Sequence, residues 1–217
     1  MSTESTKEAK QTAAEAERSP RERILGTATE LFYRDGYRAV GVDTVIERSG
    51  VAKATLYRHF PSKDDLIVAY LERSNERFWD WFDSAIATVE EPRTKLLALF
   101  EATGSQALAP SCLGCAFQAT AAEFPDAQHP GHVLARAHKE QVLARLGELA
   151  REAGAGRPEQ LAAELMLLMD GAFASARMFG SSGPAGSVGA AAATLIDAQL
   201  VGASARKPSI TSSRTAS

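Results

Sequence analysis

Residues 49–66 read SGVAKATLYRHFPSKDDL, and they decide what surrounds them. Gly50 can take the left-handed conformation that ends a helix, and Pro61 disfavours the α conformation in the residue before it. Ser62, with Asp65 three positions on, forms a capping box that starts another helix. The spacing predicts a short helix over 53–60 between a glycine turn and a longer helix. Leu56 and Phe60, four apart, share its buried side, while Arg58 points away, Ala54 and Thr55 lie beside Arg58, and Tyr57 and His59 flank. Lys53 sits in the first turn, from which a long side chain can swing outward.

Upstream, Pro20 opens a helix over 21–35 with Ile24, Leu25, Ala28, Leu31 and Phe32 on one stripe, and Gly36 stops it. A second short helix carries Val42, Val45, Ile46 and Ser49 on one side and stops at Gly50. The opening stretch is therefore the second half of a helix, glycine turn, helix unit. In such a unit the second helix enters the DNA major groove by its N-terminal end. That places Lys53, Ala54 and Thr55 at base edges and Tyr57, Arg58 and His59 at phosphates. The alternative is a solvated polar face on a small helical hairpin. Local charge favours DNA: residues 18–63 hold nine Lys+Arg against five Asp+Glu, whereas residues 64–217 hold thirteen against eighteen and the whole chain carries −3.

The remaining pattern is helical and nowhere strand-like over a useful length, so the expected fold class is all-α. With 217 residues, 45% hydrophobic and 24% charged, the chain can build one large domain or two small ones. Neither a secretory signal nor a membrane span is expected, because no apolar run approaches about 18 residues. Two cysteines cannot build a secreted disulfide scaffold, and the expected location is cytoplasmic. A fourth helix from Ser62 to about residue 87 carries Ile67, Tyr70, Leu71, Phe78, Trp81 and Phe82 along its stripe. Further helices are expected from Pro92, over 117–123, over 133–153, over 161–179 and over 185–201.

The stretch RILGTATELFYRDGYRAVGVDTVIERSGVAKATLYRHFPSKDDL closely resembles the DNA-binding domain of TetR-type transcriptional regulators, in which a motif like GVSKGTLYYHFPSKEEL recurs. The resemblance implies an N-terminal three-helix helix-turn-helix DNA-binding domain, followed by a C-terminal helical ligand-binding and dimerisation domain. It also implies a homodimer on double-stranded operator DNA, released when a small-molecule inducer binds. Carried over by position, it marks Lys53, Ala54 and Thr55 as groove residues and Tyr57, His59 and Lys63 as phosphate contacts. Thr44 of the second helix joins this set. Three departures stand out: Ala52 replaces a frequent capping Ser, Gly41 a frequent capping Thr, and Asp43 falls where many relatives place a basic residue. Expected domains are 20–66 for DNA and 67–202 for ligand and dimer, with disordered tails at 1–19 and 203–217.

Beyond the motif, Phe78, Trp79, Trp81, Phe82, Phe100, Phe117, Met169 and Phe173 could line an apolar pocket or form core. Asp170, a carboxylate in an apolar helix, would either pair with Arg177 two turns on or join Arg177 at a ligand. The helix over 161–179 is apolar nearly all round and its successor is rich in alanine. Leu165, Leu168, Ala172, Ala176 and Phe179, with Ala192, Leu195, Ile196 and Gln199, are expected either at a four-helix dimer interface or in monomer core. Cys112 and Cys115 form a CxxC pair followed by His129, His132 and His138, open to a structural, redox-responsive or metal-responsive reading. No bound metal and no cofactor are expected. Glycine-rich phosphate loops, nucleophile elbows and metalloprotease helices are missing from the sequence, which argues against a helical enzyme.

Overall fold

Prolines, serines and acidic residues set where the helices begin. In the computed structural model, which describes residues 18–204, α1 spans Pro20–Asp35, with the Ser19 hydroxyl accepting the Glu22 N–H at 3.2 Å and Pro20 in the first helical position. Helix α2, Val42–Ser49, starts at Gly41 without a side-chain cap and ends at Gly50 in the left-handed conformation (φ 64°, ψ 30°). Helix α3, Lys53–His59, also lacks a side-chain cap, at Ala52. It stops where Phe60 turns extended before Pro61. Helix α4, Lys63–Ile86, begins with the reciprocal cap the sequence indicates: Ser62 N–H donates to Asp65 Oδ2 at 2.9 Å and Asp65 N–H to Ser62 Oγ at 3.0 Å.

Five more helices follow: α5 (Pro92–Leu108), α6 (Ala116–Glu123), α7 (Pro130–Glu152), α8 (Pro158–Phe179) and α9 (Val188–Ser204). No strand occurs among the described residues. The Glu91 carboxylate caps α5 by accepting the Arg93 and Thr94 N–H groups at 2.9 and 2.6 Å. The Thr94 hydroxyl, these amides and the Arg93 charge hold its carboxyl below the usual range. Helices α7 and α8 start three residues before the positions expected from their apolar stripes. Proline loses no helical hydrogen bond in the first turn, so Pro130 and Pro158 begin the helices ahead of the hydrophobic pattern. Residues 185–187 are not α-helical; they belong to the 3-10 turn Pro184–Ser187, which follows another at Gly180–Ser182. Gly183, Pro184 and Gly186 account for that late start of α9. Of the tails expected at 1–19 and 203–217, residues 1–17 and 205–217 lie outside the described residues, while Ser19 caps α1 and residues 203–204 belong to α9.

The chain divides into two compact units. The first contains the described residues through Phe78 together with Ala116–His138. Here α1 packs on α2 and α3, and Ile24, Leu25, Phe32, Val45, Leu56, Phe60 and Tyr70 are buried. Phe32, Tyr37 and Tyr70 form a ring cluster with centroids 5.4 to 5.9 Å apart. The second unit holds Trp79–Cys115 and the chain from Lys139 onward. In it α5, α8 and α9 pack together around Leu96, Leu99, Phe100, Leu165, Met169 and Ile196, all buried. Gly104 of α5 is needed for this approach, because a Cβ there would meet Val188 at 3.3 Å and the Ala185 carbonyl at 3.5 Å.

Candidate nucleic-acid interface

The side of α3 opposite its core residues is a continuous polar surface. Leu56 and Phe60 are buried, while Lys53, Ala54, Tyr57 and Arg58 are exposed and Thr55 and His59 half-buried. Tyr57 leaves 42% of its surface to solvent. Thr44 on α2 and Lys63 at the start of α4 are half-buried. All eight residues expected to contact DNA thus lie on three successive helices of the first unit.

Asp43 gives this surface a feature of its own. Its carboxylate accepts a hydrogen bond from Lys53 Nζ at 3.2 Å, and this bond raises the lysine pKa. Asp43 also stands in the first turn of α2, where a negative charge suits an N-terminus that Gly41 leaves without a side-chain cap. Two of the three departures from the motif are therefore linked, since the acid serves the helix start and orients the lysine of the next helix.

Sequence reasoning missed a second source of positive charge beside the turn. An opening of about 500 Å³ is lined by Arg18, Arg23, Gly26, Thr27, Glu30 and Arg48, among others. Arg23 Nη2 donates to the Gly50 carbonyl at 2.8 Å, which fixes this guanidinium against the turn ahead of α3. The local excess of Lys and Arg was the available signal, but it could not say which arginines gather.

The residues expected at a ligand are distributed over both units. Phe78 and Phe117 belong to the first, where both rings contact the buried His138: Phe117 stacks at 3.6 Å and Phe78 meets it edge-on at 4.7 Å. His138 Nδ1 lies 2.7 Å from Asn75 Oδ1. Trp79, Trp81, Phe82, Phe100, Met169, Asp170, Phe173 and Arg177 belong to the second. Phe82, Phe100 and Met169 are sealed in its core, Trp79 lies 5.3 Å from Phe82, and Trp81 meets Phe173 at 6.4 Å. Asp170 pairs with Lys139 of α7, a partner the sequence reading did not name. Arg177, two turns on, donates to the Leu113 carbonyl at 3.3 Å.

Cys112 is buried and Cys115 half-buried, both as free thiols. The histidines of the metal reading have other partners: His129 Nδ1 accepts the Gly131 N–H, and His132 Nδ1 contacts the Phe124 carbonyl. Among the described residues no three His, Cys, Asp or Glu side chains gather to hold a metal.

On the two C-terminal helices the residues expected at an interface or in core differ in burial. Leu165, Ala172, Ala176, Ala192 and Ile196 are buried within their own chain, so association can bury little further surface there. Leu168, Leu195 and Gln199 are half-buried and Phe179 is 54% exposed. The exposed side of α8 is nonetheless apolar: Ala163, Leu167, Gly171, Ala174 and Met178 form a stripe at helical spacing, with Leu167 73% and Met178 76% exposed. Because α8 is apolar nearly all round, the sequence alone left open which side faces inward.

The family profile for bacterial regulatory proteins, tetR family, matches residues 24–70. HTH-type transcriptional activator FasR of Mycolicibacterium smegmatis is 38% identical over 82 residues, 38% of this chain and 37% of that protein. HTH-type transcriptional repressor KstR of the same organism is 47% identical over 64 residues, 30% of this chain and 31% of that protein. Each match spans only about a third of the curated relative's length. The solved structure of SCO4454, a TetR-family transcriptional regulator from Streptomyces coelicolor, superposes with a TM-score of 0.76 at 32% identity, covering 85% of this chain and 96% of that one. With the helix-turn-helix surface of α2 and α3 and a likeness along nearly the whole of SCO4454, this chain belongs to the TetR family of transcriptional regulators.

Proposed function

We propose that the chain is a ligand-responsive transcriptional repressor that binds a palindromic operator as a homodimer and leaves it when a small molecule binds. The observation that carries this reading is the exposed basic face of α3 on an otherwise acidic chain. Lys53, Ala54 and Thr55 read base edges, while Tyr57, Arg58, His59, Lys63 and Thr44 hold the backbone. The homodimer rests on the exposed apolar stripe of α8, which a second copy would cover. The small molecule contacts the half-exposed aromatic residues of the second unit, Trp79 and Trp81 foremost, with the buried Phe173 ring behind Trp81. No helix among the described residues is long and apolar enough to cross a membrane, and the protein acts in the cytoplasm where operator DNA lies.

A repressor is preferred to an activator because a dimer occupying an operator blocks polymerase with no further contact. FasR, described as an activator, and KstR, described as a repressor, both share this DNA-binding segment, so a reporter fused to the protein's own promoter separates the two. Deleting the gene raises reporter output for a repressor and lowers it for an activator. DNA binding itself is tested with a duplex of that promoter. Lys53→Ala and Tyr57→Phe should each weaken binding about tenfold while leaving the helical signal intact, and half-sites should lie about 34 Å apart or a little more. Unchanged affinity in both variants would remove α3 from the interface.

A further inference from the structure

Two connections that bracket the helix-turn-helix are held by one stretch of chain from much later in the sequence, residues 116–131. On the entry side, Glu123 ends α6 and its carboxylate lies over the turn that leads from α1 to α2. Tyr37 N–H donates to Oε1 and Oε2 at 3.1 Å each, Arg38 N–H donates to Oε2 at 2.9 Å, and Arg38 Nη2 donates to the Glu123 carbonyl at 2.8 Å. Gly36 leaves room for that carboxylate: at φ 83°, a Cβ there would stand 2.7 Å from Glu123 Oε1. One turn earlier in α6, Thr120 Oγ1 lies 2.6 Å from the buried Tyr37 hydroxyl. Burial holds that hydroxyl well above the ordinary tyrosine pKa, so it stays protonated and can donate.

On the exit side stands His129. Its Nδ1 accepts the Gly131 N–H at 3.1 Å, which assigns the ring proton to Nε2, and Nε2 faces Asp64 Oδ1 at 3.5 Å in the first turn of α4. The ring is stacked on Phe124 at 4.0 Å, and Phe124 in turn lies 5.5 Å from Tyr37. Entry and exit grips are therefore joined through Phe124. All of these residues belong to the first compact unit.

We propose that Glu123 and His129 are positioning residues for DNA recognition: they fix the entry and the exit of the helix-turn-helix, and through these the direction in which α3 meets the groove. The proposal rests on the reading of α3 as the recognition helix. Neither residue touches DNA. Base-edge contacts tolerate little misalignment, whereas phosphate contacts from flexible basic side chains tolerate more. Loosening the brace should therefore lower operator affinity and spare non-specific affinity. A carboxylate is required at position 123, because an amide offers one acceptor oxygen and turns its NH₂ toward a neighbouring donor.

The test uses the full chain with two duplexes, the operator and a scrambled sequence of equal length, titrated at one salt concentration. Glu123→Gln should lower operator affinity about tenfold and leave the scrambled duplex within about twofold, because lost charge-assisted bonds are expressed in the specific geometry. His129→Gln should move the same ratio in the same direction by a smaller factor. Lys53→Ala should cost less in the Glu123→Gln background than alone, since a misaimed α3 has less to lose; residues that only stabilise the fold would give additive effects. If Glu123→Gln does not fold, His129→Gln carries the test, and an unchanged ratio there overturns the proposal. Unchanged specificity in folded Glu123→Gln, with Lys53→Ala still impaired, overturns it while leaving α3 as recognition helix. Full operator affinity in both Lys53→Ala and Tyr57→Phe removes that reading and the brace with it.

Discussion

At the scale of single residues, Asp43 has opposing roles. It compensates an uncapped helix start and holds Lys53, yet it sets a carboxylate among the side chains proposed to meet a polyanion. Docking on DNA must bring phosphates near that carboxylate, and their repulsion opposes the lysine's attraction. Asp43→Asn is therefore expected to strengthen duplex binding several-fold and to flatten discrimination between operator and scrambled DNA, because electrostatic attraction to phosphate is independent of sequence. Duplex titrations over a series of salt concentrations check this. A weaker complex would mean that the Lys53–Asp43 pair is kept in the complex and that the acid's orienting role outweighs its charge.

At the scale of elements, α8 separates what the sequence makes legible from what it hides. Local signals placed α1 to α4 within a residue or so, because Pro20, Gly36, Gly50, Pro61 and the Ser62–Asp65 box are chemical stops and starts that act wherever they occur. The exposed set on α3 was equally legible, since Leu56 within the helix and Phe60 just after it leave one possible inner side. Helix α8 offers no such contrast. Leu165 and Leu167 are both apolar, but Leu165 is fully buried and Leu167 is 73% exposed. Only the packing of α5 and α9 against it decides between them. The brace at Glu123 was illegible for a similar reason: nothing local ties a glutamate to amides 86 residues away. The two leucines make opposite predictions. Leu167→Glu should leave thermal stability of the chain nearly unchanged and convert dimers to monomers in light scattering, as a surface charge placed in a self-complementary contact. Leu165→Glu should unfold the second unit, because it buries a carboxylate without a partner. Dimers surviving Leu167→Glu would move the association surface off α8.

On the scale of the whole molecule, α4 and α7 each contribute residues to both compact units. Helix α4 runs unbroken from Lys63, expected at phosphate, through Phe78 of the first unit to Trp79 and Trp81 of the second. If a ligand and the operator favour different states of the protein, their affinities are linked, and each must weaken the other by the same factor, typically about 5- to 150-fold. The chain contains two tryptophans, both on α4, so intrinsic fluorescence reports the ligand titration directly. With a compound found by promoter induction, saturating operator should move the fluorescence midpoint to higher concentration by the factor the compound imposes on DNA binding. A midpoint indifferent to DNA would break the link. The bare stripe of Leu167 and Met178 also carries a consequence for gene dosage. If that stripe is what joins two copies, then below the dimer dissociation constant the number of operator-competent molecules rises with the square of the protein made, so halving synthesis cuts occupancy about fourfold. Control by such a regulator would switch over a narrow span of its own abundance, and daughter cells inheriting unequal shares would differ in output before any inducer arrived.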